Sequence, residues 1–163
     1  MARTETHASI PPVRIGIALL ALGTAGIHLY LFLIEGFLGN GKMLPIYQLL
    51  FVGNVLAYAT LAAFLLLSPL ARVRSFVRVA LISIAVASIV SYFYVGVLDA
   101  VGHIDKAIEV LLILLVTVDA ATSRPEGDLA GRFAGGAAGA AVQLLTGVVV
   151  GTVMFLALTP FLI

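Results

Sequence analysis

His28 stands inside an otherwise apolar run, where ionisable side chains are uncommon and often functional. Glu35 follows seven residues later, on the same face two turns away if the helix is continuous. Tyr92 and Asp99 repeat that spacing further along the chain. Asp99 and His103 are four apart, either a helical couple or, because Gly102 intervenes, two groups on a tight turn. A neutral imidazole needs one donor and one acceptor, and Asn54 and Tyr92 could supply them. His28, Asn54 and Tyr92 are therefore a candidate pocket for a ligand, a quinone or a proton. The plainer alternative for His28 is an interhelical hydrogen bond, worth about 0.6 kcal/mol on average in a bilayer.

Imidazole with carboxylate also suits zinc, iron or manganese, and Glu35, Asp99, His103 and Glu109 are the set that could hold such a divalent metal. The alternative is solvation at helix ends. Asp105 and Glu109 then complement the dipole of a helix start, with Lys106 as counter-ion. A b-type haem between His28 and His103 would need both at similar depth. Counting along the helices separates them by about 10 Å, which argues against haem.

Other chemistries lack their parts. The chain has no Cys, which excludes disulfides, Cys-ligated zinc, iron–sulfur clusters and thiol nucleophiles. It has no H-E-x-x-H, no G-x-S-x-G, no Gly-rich phosphate loop and no D-x-D pair, so no catalytic motif is complete. Nine Lys and Arg against eight Asp and Glu leave a net charge of +1, which gives no reason to expect nucleic acid.

The elements that must position these residues are membrane helices. Of the 163 residues, 62% are hydrophobic and 10% charged, with a mean hydropathy of +1.19. Soluble domains carry about 25% charged residues, and a chain this short cannot bury so much apolar surface in one core. A span needs about 20 apolar residues. Runs at about 15–35, 44–67, 77–98 and 137–163 meet that length, and 104–121 is a weaker fifth because Asp105, Lys106 and Glu109 crowd its start. The expectation is an all-α, single-domain integral membrane bundle of five transmembrane helices, with four plus one interfacial helix as the alternative. Pro11 and Pro12, Pro45, Ser68-Pro69, and the stretch 122–128 with Pro125 and Gly127 mark the breaks.

Charge sets the expected topology. Seven of the nine basic residues (Arg3, Arg14, Arg72, Arg74, Arg78, Arg124 and Arg132) fall on one side, and only Lys42 and Lys106 on the other. The positive-inside rule then places the N-terminus in the cytoplasm. By depth, the polar residues concentrate in the outer half of the bundle. The segment from Gly131 through Gly135 to Gly139 leads into the last run, and Gly147 and Gly151 continue it, a small-x-x-x-small pattern suited to close helix packing, within the bundle or onto another subunit.

Two functional classes follow. In the first, the chain is an accessory or assembly subunit of a larger membrane complex, respiratory or otherwise redox, with other membrane subunits as partners. In the second, it acts alone as a homo-oligomer that binds a ligand or metal, or moves protons or a small solute, through the outer polar pocket. A metal-dependent membrane enzyme is a third, using the same mouth residues. Membrane lipid is a partner in each case, and the expected location is a prokaryotic cytoplasmic membrane.

Overall fold

A computed structural model describes residues 10–38, 43–96, 98–123 and 135–162. Among the described residues the chain is helical, with no strand. Five long helices run up and down: α1 (Pro12–Leu31), α2 (Pro45–Leu66), α3 (Arg74–Val95), α4 (Ala100–Thr122) and α5 (Gly136–Leu158). At about 1.5 Å per residue each is about 30–35 Å long, the thickness of a hydrocarbon layer. Four, extended by their flanking turns to Pro12–Gly36, Pro45–Leu66, Pro69–Val95 and Gly136–Phe161, are long and apolar enough to cross a membrane. Large apolar side chains such as Leu19, Leu49, Phe76 and Val149 are more than 60% exposed or close to it, as lipid-facing groups are.

The helix ends follow local chemistry. Pro12 and Pro45 open α1 and α2, where a missing N–H leaves nothing unsatisfied. A 3-10 segment, Ser68–Val73, turns the chain into α3, which therefore starts three residues before the sequence suggests. α3 also ends early, at Val95, because Gly96 takes a left-handed φ of 75° and its N–H closes on the Tyr92 carbonyl at 3.2 Å. Asp99 then caps α4, its carboxylate accepting from the Gly102 N–H at 2.6 Å. After α1 the chain widens into a π-helical turn, Phe32–Phe37.

α4 lies against α1, α3 and α5, while α2 packs chiefly on α1. Its amphipathicity is reversed. Asp105, Glu109, Leu112, Val116 and Asp119 repeat at helical spacing on one buried stripe. Ile104, Val110, Leu111, Leu114 and Val118 are exposed on the other side. The core beneath it is built from Ile17, Ala21, Tyr58, Leu65, Leu81 and Leu112.

Candidate functional site

The stripe on α4 carries three charges to one place. Asp105, Lys106 and Glu109 are 2%, 8% and 0% exposed. They are therefore not solvated groups at a helix end, which corrects the plainer sequence reading. The Lys106 Nζ lies 2.8 Å from Asp105 Oδ2, 2.7 Å from Glu109 Oε2 and 2.5 Å from Ser88 Oγ of α3. An ammonium has three N–H donors, so this one is fully used. Tyr58 of α2 donates to Glu109 Oε1 at 2.9 Å, and Thr24 of α1 donates to Asp105 Oδ1.

His28 completes the network. It sits one turn after Thr24 on the buried face of α1, next to the rings of Phe51 and Tyr58. Its Nδ1 is 2.9 Å from the Thr24 carbonyl and 3.9 Å from Asp105 Oδ2. A carbonyl only accepts, so Nδ1 carries the proton and Nε2 is left as the acceptor. Nε2 has no partner among the described residues, and the ring lines a cavity. With His28 neutral, two carboxylates and one ammonium sum to one negative charge. In a low-dielectric interior an uncompensated charge is costly. One proton, or one other cation, brings the sum to zero.

The cavity has a volume of about 230 Å³ and opens at the end of the bundle where α1 and α3 finish. Its walls are apolar: Leu31, Leu50, Phe51, Ile84, Val95 and Met154. At its floor are His28, Asn54, Ser88, Asp105 and Lys106, and Ser91 and Tyr92 sit above them. Glu35 and Asp99 stand at its mouth. The π turn breaks the phase that would align Glu35 with His28, leaving Glu35 exposed while His28 is buried, yet both border the same space.

The structure regroups the sequence candidates. Asn54 and Tyr92 line the cavity with His28, but His28 donates its hydrogen bond to the Thr24 carbonyl rather than pairing with either. The Tyr92 hydroxyl accepts from the Asp99 N–H at 3.1 Å and donates to the Asp99 carbonyl at 3.0 Å. A Cβ on Gly102 would run into the Tyr92 ring, so the glycine makes room for it. Glu35, Asp99, His103 and Glu109 do not converge. Asp99 caps α4, His103 is exposed with its Nδ1 on the Asp99 carbonyl at 2.6 Å, and Glu109 is buried away from both. The residues whose ligand atoms do gather, within 4.8 Å, are His28, Asp105 and Glu109. The Lys106 ammonium already bridges their two carboxylates, in the position a metal would take. His28 and His103 face different surroundings, one in the cavity and one on the exposed first turn of α4.

Asp119 forms a second buried cluster at the opposite end of α4. Arg14 Nε of α1 binds its Oδ1 at 3.0 Å, and Arg78 of α3 binds its Oδ2 at 2.8 Å through Nε and 2.6 Å through Nη2. Arg78 Nη2 also donates to Ser123 Oγ at 2.6 Å. Arg78, 2% exposed and inside α3, is thus a clamp between helices. Thr24, Tyr58 and Asp119 escaped the sequence reading. Their signals were present: Thr24 is four residues before His28, Tyr58 four after Asn54, and Asp119 lies on the heptad stripe of Asp105.

The glycines of α5 are used inside the chain. A Cβ on Gly147 would lie 2.5 Å from Ile82 Cγ2, and one on Gly151 2.5 Å from the Ser83 carbonyl and 2.8 Å from Val86 Cβ, all on α3. Gly135 and Gly139 are also buried, and Gly131 lies outside the described residues.

Comparison of the chain with protein-family models, with curated proteins and with solved structures finds no match.

Proposed function

We propose that this is a multi-pass protein of a prokaryotic cytoplasmic membrane that takes a small amphiphilic ligand into its cavity, with His28 as the group that exchanges a proton or hydrogen bond with it. One observation carries the reading: a buried ionic network, one charge out of balance, meets an apolar-walled cavity through the unpartnered Nε2 of His28. Concave apolar pockets with a few convergent polar groups are the usual form of ligand sites, and ionisable residues within a bundle usually mark pathways or relays.

The same reading has α4 cross the bilayer as a fifth span. Its four charges face α1, α2 and α3, and its exposed side is apolar. The arginine-rich loop ends support a cytoplasmic N-terminus, which puts the cavity mouth on the outer side. An accessory role in a larger redox complex draws no support from α5, whose glycines are turned to α3.

The test is native mass spectrometry of the chain extracted from its membrane in lipid nanodiscs. The expected result is a stoichiometric small-molecule adduct on the wild type that is missing from Ser91→Trp, a variant whose ring fills the cavity. A chain with no adduct, or one that keeps its adduct in Ser91→Trp, overturns the reading. Circular dichroism confirms that the variant is folded.

A further inference from the structure

We infer that the occupant of the cavity is a lipophilic monocation, an ammonium-type head on an apolar body, and that it enters in exchange for one proton held by the buried network. This inference rests on the pocket reading above and names its substrate class.

The charge around the cavity selects the sign. Glu35 and Asp99 border the mouth and Asp105 the floor, while Lys106 is the cation among the described lining residues. Its three donors are all spent within the protein, so it offers no hydrogen bond to an anionic head. Three carboxylates against one ammonium leave the lining negative. Tyr47, Phe51 and Tyr92 add aromatic faces, which attract ammonium groups. The apolar walls select a greasy body over a hydrated ion.

The exchange follows from the charge sum. Asp105, Glu109, Lys106 and neutral His28 total one negative charge, and the Nε2 of His28, a residue 2% exposed, opens onto the cavity. The groups facing His28 are Thr24 on its own helix, Tyr58 and Phe51 from α2, Ser88 and Tyr92 from α3, and Asp105, Lys106 and Glu109 from α4. α5 contributes Met154 and Leu158, which do not titrate. Without a ligand, one proton on the network brings it to neutrality. When a monocation binds, that proton is redundant, and it leaves the network by way of His28 Nε2 through the mouth to water. One N–H bond breaks, one positive charge enters, and the total is unchanged.

The test is titration calorimetry on the full chain in nanodiscs with an isosteric pair, 4-(trimethylammonio)benzyl alcohol and 4-tert-butylbenzyl alcohol. The work is done at about pH 6.5, the ordinary histidine range, in two buffers of different ionisation enthalpy. The ammonium probe is permanently charged and its benzylic hydroxyl does not ionise in this range, so any proton released comes from the protein. The expected result is an affinity for the cation about ten-fold or more above the neutral isostere, with close to one proton released per cation. Asp105→Asn removes the charge deficit and abolishes both the preference and the release. Continued binding of 4-tert-butylbenzyl alcohol by that variant shows its cavity is intact. Equal affinities, a tighter neutral isostere, or cation binding without proton release overturns the inference. If both probes bind equally and Ser91→Trp loses both, the cation inference falls and the pocket reading stands. If neither binds, the inference falls, and the adduct measurement decides the pocket reading separately.

Discussion

α4 buries an ionic cluster at each end, and the two are built to opposite effect. Asp119 is gripped by Arg14 and Arg78 from two other helices, with both oxygens occupied by guanidinium groups. Positive charge is in surplus there, and Asp119 does not line the cavity. At the other end two carboxylates share one ammonium, the sum is negative, and empty space adjoins the imidazole. Both clusters tie α4 to α1 and α3. Charge balance and the neighbouring void, rather than residue type, separate a clamp from a site that can take something in.

The largest effect expected from breaking this contrast is at the shared cation. Lys106→Met leaves two buried carboxylates unpaired and should destabilise the chain by about 3–5 kcal/mol, read as a loss of thermal stability in detergent. Neutralising the partners too, in Lys106→Met with Asp105→Asn and Glu109→Gln, should recover most of that loss. Such recovery separates a cost of unpaired charge from a cost of lost packing.

At the clamp, Arg78→Ala should cost about 3 kcal/mol, since it removes the better buried partner of Asp119. Arg14→Ala should cost about 1 kcal/mol, because its side chain is 15% exposed and water can replace it. Equal losses would mean that the clamp is not asymmetric. Neither change should alter adduct retention, which distinguishes this end from the other.

Gly151→Leu forces a side chain into the Ser83 carbonyl and Val86 of α3 and should cost about 1–3 kcal/mol by overpacking. An unchanged melting temperature would place those contacts in doubt and return α5 to the role of a free docking face. The smallest stability effect is expected at His28→Ala, about 0.6 kcal/mol by the average for bilayer hydrogen bonds. That variant should nonetheless lose the bound molecule. A large loss of stability with the adduct retained would make His28 a structural residue like Asp119.

The helices were legible because their signals are local. Apolar run length, Pro12, Pro45 and Pro69 mark four spans within a few residues of the observed bounds. Gly96 was not read as a helix end, since apolar residues continue past it and only its left-handed φ terminates α3. The site was half legible. His28, Asn54 and Tyr92 do border one cavity, where the depth count put His28 and Tyr92 level and Asn54 about one turn deeper. Counting inward from a presumed helix start put Asp105 and Glu109 at the surface. The period of α4 carries the opposite message, with its charges at core positions and Ile104, Val110, Leu111, Leu114 and Val118 outside. Thr24 and Tyr58 were hidden for another reason: their role exists only once α1 and α2 are packed on α4.

The reversed character of α4 also bears on how the protein is made. A single Asp or Lys at the centre of an isolated span raises its insertion free energy by about 2.5–3.5 kcal/mol, and α4 carries four charges. Their partners Arg14, Thr24, His28, Tyr58, Arg78 and Ser88 all lie on α1, α2 and α3, which leave the ribosome first. The groups that pair with the charges of α4 are thus all translated before it, and a truncated chain lacking α1 loses Arg14, Thr24 and His28 from that set.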